Sequence, residues 1–383
     1  MSRAWLTSLG RGVLVTSLAL GLALSVLPSQ ALAKKRAATE STSAKKTKTL
    51  VTKRRAASAP ETKGGLTLKP NQSPSTSARK TVWTTRVVKG KRVRVAVKSV
   101  ALVPALPSVG QQSGLHATSD PLELKSGVAL VIDQDNNEVL LSKNSAAVLP
   151  IASITKLMTA LVVIDSGASM DEVISIEQDD VEQTSNSRSR LRPGTSMSRA
   201  EMMRLALMSS ENRAAHALSR HYPGGREAFV GAMNQKARAL GMSDTRFVES
   251  TGLSPENRSS AMDLTRLVAA ASAHDLIREF STSKESTVAV GSEDRLVHFR
   301  STNGLIGNPE WDISLQKTGY IAAAGRCLVM QAQMAGRRLI MVLLDSAGQY
   351  SRFGDAERIR KWLTAEHAPV SAGATMPVLT LSR

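Results

Sequence analysis

The chain has 383 residues, with 50 Lys and Arg against 32 Asp and Glu, 42% hydrophobic residues and one cysteine. Its length suits two or three units at roughly 100–200 residues per domain, and a lone Cys327 excludes an intramolecular disulfide and any multi-cysteine zinc site. The formal charge of +18 suggests a nucleic-acid binder until it is divided: residues 34–119 hold 19 basic and 2 acidic side chains, residues 120–383 hold 29 and 30. The excess therefore belongs to an arm, and the remainder is an electrically balanced chain long enough for a sizeable core.

Residues 1–33 read as a secretory signal. Arg3 and Arg11 give a positive start, Gly12 to Leu27 is an apolar run of 16 residues, and Ala31-Leu32-Ala33 fits small-x-small cleavage. That run is short of the ~20 residues a membrane-spanning helix needs. Residues 34–118 are rich in Lys, Arg, Ala, Ser, Thr and Pro, a composition that buries too little apolar surface to offset chain entropy. Within this arm, valines alternate with Arg and Lys on both sides of Lys89-Gly90. The arm is therefore expected to be mostly disordered, with residues 82–100 a solvated tether by composition or, by pattern, a hairpin that closes on a partner or a sheet edge.

A globular domain is expected over residues 119–367. Val128–Asp133 and Glu138–Ser142 flank the polar stretch 134–137 as a hairpin, and Ser153 to Ile164 has apolar residues at helical spacing. Ser198 with Glu201 forms a capping box for a helix over Arg199–Met208. Further helices fit Arg213–His221, Arg226–Leu240 with Gly241 closing it, and Met262–Ala273. Ile313–Thr318, Cys327–Met334 and Arg337–Asp345 read as strands, Asp355–Ala365 as a last helix, and 368–383 as a short tail. Strands at both ends with helices between predict an α+β domain whose antiparallel sheet is closed by the C-terminal strands and flanked by helices.

Three short motifs stand in order: Ser153-Ile-Thr-Lys156, Ser210-Glu-Asn212 and Lys317-Thr-Gly319. The sequence holds five S-x-x-K strings, so spacing alone selects none of them, but only Ser153 opens a strongly apolar helical pattern. On a helix, residues i and i+3 share a face, which brings Lys156 within reach of the Ser153 hydroxyl. A helix start also leaves free N–H groups suited to a developing oxyanion. A serine needs a base, and a lysine serves as one only when burial or a second cation, such as Lys317, depresses its pKa.

Taken together, the three motifs resemble those of penicillin-binding proteins and serine β-lactamases. Within that group the chain resembles the low-molecular-mass penicillin-binding serine DD-peptidases, and among them the D-alanyl-D-alanine endopeptidase type. The stretches that carry this are PIASITKLMTALV, LALMSSENRAAHAL, LGMSDTRFVESTGLSPEN and LQKTGYIAAAGRCLVM. The likeness covers roughly residues 120–365 and leaves out the arm.

The resemblance implies a β-lactamase/transpeptidase-like fold and a role for each residue. Ser153 would be acylated and Lys156 would accept its proton. Ser210 would shuttle a proton at the leaving amine, and Asn212 would orient the substrate amide and Lys156. Lys317 would sit on the edge strand beside the pocket, with Thr318 binding the substrate carboxylate, Gly319 would let the substrate backbone approach, and Tyr320 would lend its N–H to an oxyanion hole with Ser153. The substrate implied is a D-alanyl-diaminopimelate cross-link of peptidoglycan, cut in the periplasm without metal or cofactor, with β-lactams as covalent inhibitors. Tyr320 stands where many carboxypeptidases of the family have histidine, so removal of terminal D-alanine is the alternative reaction. A non-catalytic wall- or partner-binding role through the basic arm is the alternative from another class, and nucleic acid is excluded by export. Cys327 is expected as a buried thiol, the histidines lack metal-ligand spacing, and Arg188, Arg190 and Arg192 form a basic loop.

Overall fold

The computed structural model describes residues 81–88 and 91–98 as backbone strands, residues 106–181, 189–291, 293 and 295–365 in full, and the backbone of residue 366. The signal segment, most of the arm, Arg188 and the tail with Pro369 and Pro377 lie outside the described residues. Strands β1 (Thr81–Val88) and β2 (Lys91–Lys98) pair antiparallel, Val88 facing Lys91, on either side of Lys89-Gly90.

A short helix α1 (Val109–Gln112) precedes a hairpin of β3 (Ser126–Asp133) and β4 (Val139–Lys143). The two-residue strand β5 (Leu149–Pro150) leads into a 3₁₀ turn at Ala152–Ile154 and then helix α2 (Thr155–Asp165). Next come β6 (Val173–Ser175) paired with β7 (Ser196–Ser198), followed by α3 (Arg199–Met208), α4 (Asn212–Arg220) and α5 (Gly225–Ala239). Strand β8 (Arg258–Ser259) pairs with β5 and precedes α6 (Ala261–Ser272) and α7 (Asp275–Thr282). A second hairpin, β9 (Glu285–Val290) and β10 (Arg295–Arg300), comes before β11 (Asp312–Ile321), β12 (Gly325–Met334), β13 (Arg337–Ser346) and α8 (Ser351–Glu366).

The main sheet has the order β11-β12-β13-β3-β4, and all its pairings are antiparallel. Alternate residues of each strand face opposite layers. Val128, Leu130, Val329, Val342 and Leu344 pack against the helical layer, while Val131, Leu328, Met330 and Met341 pack under Ile359 and Leu363 of α8. A sheet covered on both faces explains why these strands read as near-continuous apolar runs rather than as alternation. The α+β expectation holds. Helix α2 is buried around nearly its whole circumference, from Thr155 to Val163, as a helix central to its layer must be.

Two elements stand outside the sequence expectations, the first with a weak signal and the second with the period-two alternation of a half-buried strand. Helix α7 is eight residues long, its N-cap His274 makes no capping bond, and only Ile277, Phe280 and Ser281 are buried. The hairpin β9–β10 has exposed positions between buried Val288, Val290, Val297 and Phe299. Among the described residues no helix is long and apolar enough to cross a membrane.

Candidate active site

Edge strand β11 and the turn ahead of α2 meet at the centre of the domain. Ser153 lies in the 3₁₀ turn, two residues before the α-helix starts at Thr155, rather than on the α-helix itself. The residue before it, Ala152, has φ 47°, a left-handed conformation that costs a non-glycine residue free energy and persists only where the surroundings enforce it. Three contacts enforce it here. Thr155 Oγ1 donates to Ala152 O at 2.8 Å, Ile151 N donates to Asn257 O at 3.0 Å, and β5 pairs with β8.

Two glycines close around the same turn. A Cβ on Gly319 would stand 3.0 Å from Ile151 O and Ser153 N, so the bare glycine lets β11 press on the serine turn. This is a reason within the protein for Gly319, beside the substrate contact that the family resemblance suggests. Gly252 is tighter: at φ +85° its Cβ would lie 1.9 Å from Ala152 O.

The next turn of the helix carries Lys156, which is 1% exposed. Its ammonium donates to Ser153 Oγ at 3.0 Å, to Asn212 Oδ1 at 2.7 Å and to Thr251 O at 2.7 Å. Ser210 lies between α3 and α4 at φ 62°, which turns its hydroxyl back towards β11. There Lys317 Nζ donates to Ser210 Oγ at 3.0 Å and to Thr318 O at 2.9 Å. Thr318 Oγ1 shares a 2.6 Å hydrogen bond with Thr302 Oγ1, and Thr302 N donates to Met208 O. Tyr320 is 57% exposed at the rim, with the Arg326 guanidinium 4.4 Å from its ring centre. The structure thus gathers Ser153, Lys156, Ser210, Asn212, Lys317, Thr318 and Gly319, with Tyr320 beside them.

Electrostatics follow from two buried lysines in one site. Burial, and then the charge of Lys156, holds the Lys317 ammonium well below the usual lysine range. The repulsion is mutual, so replacing Lys317 by methionine should move the acid limb of any lysine-dependent acylation to higher pH. Measuring acylation rate by a labelled penicillin across pH checks this, and a limb that stays put or moves to lower pH rejects the coupling. Stability follows the same sign. A lysine whose pKa is lowered on folding supports the fold at high pH and loses that support as pH falls through its folded value. Lys317→Met should therefore reduce the loss of stability on acidification.

Several residues needed by the site escaped the motif reading. Glu249 accepts from Thr251 N at 2.6 Å, Thr251 Oγ1 at 2.5 Å, Gly252 N at 2.7 Å and Asn257 Nδ2 at 2.9 Å. It thereby shapes the loop that presents Thr251 O to Lys156 and Gly252 to Ala152. Asn257 adds a bond from Nδ2 to Thr155 Oγ1 at 3.1 Å. The string ESTGLSPEN held the signal, since two acceptor-rich side chains flank a glycine there. Glu211, in the middle of Ser-x-Asn, is buried and accepts from Ser189 Oγ at 2.5 Å. Burial holds its carboxyl above the ordinary range, against the pull of Ser189, Arg190 and Lys156.

The remaining candidates lie elsewhere. Cys327 is buried within β12, and burial pushes its thiol up to about 12. His221 is held below its ordinary value by burial and then by Arg220 and Arg199. Arg190 stacks 3.9 Å over Phe299 and donates to His298 O, so it braces the β10 strand. Arg192 lines a separate shallow cleft with Arg295. Among the described residues no group of three or more His, Cys, Asp or Glu is placed to hold a metal. A hydroxyl bonded to a buried amine, with backbone N–H groups of a tight turn beside it and a second amine–hydroxyl pair opposite, is an arrangement suited to acyl transfer.

Comparison with known proteins gives the family. Residues 115–348 match a peptidase family described as D-alanyl-D-alanine carboxypeptidase. The chain is 50% identical to a D-alanyl-D-alanine endopeptidase of Pseudomonas aeruginosa over 66% of its own length and 82% of the relative's. It is 42% identical to a D-alanyl-D-alanine endopeptidase of Escherichia coli, over 74% and 93%. Among solved structures, the Streptomyces K15 DD-transpeptidase superposes with a TM-score of 0.60 at 25% identity, over 65% of this chain and 100% of that one. Penicillin-binding protein D2 of Listeria monocytogenes in its cefotaxime-bound form gives 0.56 at 30% identity, over 63% and 98%. The match to the family across most of the globular domain, and to two endopeptidases across most of their length, establishes that this chain is a serine peptidase of the D-alanyl-D-alanine carboxypeptidase family.

Proposed function

We propose that the chain hydrolyses D-alanyl-diaminopimelate cross-links of peptidoglycan through an acyl-enzyme on Ser153, and that penicillins acylate the same serine. The observation that carries this reading is the Lys156 ammonium, buried and bonded at once to Ser153 Oγ, Asn212 Oδ1 and Thr251 O. With its proton removed, Lys156 takes the hydroxyl proton as Ser153 Oγ attacks the D-alanyl carbonyl. The N–H groups of Ser153 and Tyr320 receive the oxyanion. Ser210, bonded to Lys317, returns a proton to the departing amine. Asn212 orients the substrate amide and Thr318 holds the carboxylate next to the scissile bond. Water then releases the acyl group.

Endopeptidase and carboxypeptidase reactions share the acyl half and differ in the leaving group. An exposed Tyr320 ring beside that side can pack on a long diaminopimelate chain at roughly 25 cal/mol per Å² of buried area, whereas a small zwitterionic D-alanine offers it little. Cross-linked dimers are therefore expected to be cut with kcat/KM about tenfold or more above pentapeptide monomers, a gap of ~1.4 kcal/mol. Tyr320→Ala should narrow the ratio by slowing dimer cleavage. Faster release of D-alanine from monomers by the unaltered enzyme would select the carboxypeptidase reading instead. The leader-like residues 1–33 support action in the periplasm, and the cationic arm suits an acidic wall or membrane surface.

A further inference from the structure

At the outer end of β11 and β12 two arginines stand near each other without an acid. Arg326 faces Tyr320 across the ladder, with its guanidinium over that ring. Arg352, in the first turn of α8, is 8% exposed; its Nη1 donates to Gln349 O at 2.8 Å, and its Nε has no hydrogen-bond partner among the described residues. Neither guanidinium has a carboxylate within ion-pair distance among the described residues, whereas farther along α8 Arg358 is paired with Asp355 and Arg360 with Glu310 and Glu357. Asp345, near the end of β13, directs its carboxylate to Ser108 Oγ and His116 Nε2.

Each guanidinium lies over an aromatic ring, Arg326 over Tyr320 and Arg352 over Phe353, but a buried cation without a carboxylate partner is costly. Burial and then the Arg326 charge bring Arg352 down to about 10. An anion bound beside Arg326 would offset the repulsion between the two guanidiniums, while the burial of Arg352 would stay. The surroundings suit a peptide: Tyr320 and Tyr350 are 57% and 69% exposed, and Tyr350 is two residues from Arg352. The place is also apt. Gly319 presses on the turn bearing Ser153, so the patch begins one residue beyond the reacting centre, at the Tyr320 ring that the cross-link reading sets beside the departing amine.

We propose that Arg326, backed by the charge of Arg352 and flanked by Tyr320, binds a free carboxylate of the leaving stem peptide, beyond the carboxylate next to the scissile bond. The assignment rests on the cross-link reading above. A guanidinium holds a carboxylate by charge-assisted, bidentate hydrogen bonds, and the corresponding amide forfeits them.

The test uses the full chain and two synthetic cross-linked dimers. One keeps every leaving-strand carboxylate free; in the other all are amidated except the one adjoining the scissile nitrogen. Dissociation constants are measured on Ser153→Ala protein, and kcat/KM on active enzyme. The free-acid dimer is expected to bind about tenfold or more tightly than the amidated one. Arg326→Gln should bring that ratio close to one, and Arg326→Lys should keep part of it. Because the readout is a ratio within each variant, a general loss of stability cancels, and melting temperature checks the fold. Equal binding of both dimers by the unaltered site, or a preference that survives Arg326→Gln, overturns the subsite while leaving the cross-link reading intact. Cleavage of neither dimer, with D-alanine still released from monomers, takes down the cross-link reading and the subsite with it.

Discussion

Lys156→Ala is expected to slow acylation by a labelled penicillin by about 10²–10⁴-fold, the range that a positioned general base contributes, and Ser153→Ala to abolish it. The geometry behind the first number is specific. Lys156 Nζ is 3.0 Å from Ser153 Oγ and fixed from behind by Asn212 and Thr251, so no other described amine is held against that hydroxyl. The lysine is also buried, and its removal leaves Asn212 Oδ1 and Thr251 O without this donor, at about 1–3 kcal/mol for each group left unsatisfied. Thermal unfolding must therefore accompany the kinetics, to separate a folded enzyme lacking its base from an unfolded one. Labelling of a folded Lys156→Ala protein at the unaltered rate would show that the base lies elsewhere. Mass spectrometry of the labelled wild-type chain adds a second check, since attachment at any residue but Ser153 rejects the nucleophile.

The other large effect is expected from a position with no chemistry at all. Gly252→Ala would drive a methyl to 1.9 Å from Ala152 O and 2.2 Å from Ala152 C at a φ of +85°. These are backbone atoms of the serine turn, which cannot rotate aside as a flexible side chain does. A left-handed alanine alone costs about 1–3 kcal/mol, and the overlap adds to it, so a loss of about 3 kcal/mol or more is expected. For a domain of this size that corresponds to a melting temperature lower by roughly 6–12 °C. If the turn yields instead of the fold, Ser153 shifts, and a displacement of about 1 Å costs on the order of 10²-fold in rate. One or the other must appear. A Gly252→Ala enzyme with unaltered melting temperature and unaltered acylation would mean that the loop does not lie on the serine turn. The neighbouring Gly319→Ala, with contacts at 3.0 Å rather than 1.9 Å, should be milder.

The sequence made some of this legible for definite physical reasons. Ser198 and Glu201 satisfy each other's backbone N–H groups, so α3 begins where the capping box requires. Strands β12 and β13 are apolar because both faces are covered, and a tight turn with Ala335 and Gly336, both at positive φ, separates them. The three motifs mark residues that the fold brings together. What stayed hidden was support rather than chemistry. Glu249 acts through hydrogen bonds to its own loop, Thr251 through a carbonyl that any residue possesses, and Asn257 through atoms spread over a turn. Backbone groups have no residue type, so no motif search can find them. The 3₁₀ turn at Ala152–Ile154 was hidden likewise, because helical spacing does not distinguish a 3₁₀ start from an α start.

The sheet order has a consequence for how such a chain comes to be folded. Strand β13, last of the sheet in sequence, lies between β12 and β3, and Ser126 N at the start of β3 donates to Asp355 in α8, 229 residues away. As the chain lengthens from its N-terminus, β3 must wait for all the intervening helices before its second partner, β13, exists. Pairing across so long a loop is entropically slow. A nascent chain can therefore form local helices and the β3–β4 hairpin, yet it holds no finished sheet until about residue 346 is available. Peptidase competence is thereby coupled to completion of the polypeptide, and a truncated product ending before β13 would lack the sheet on which the Lys317 strand is hung.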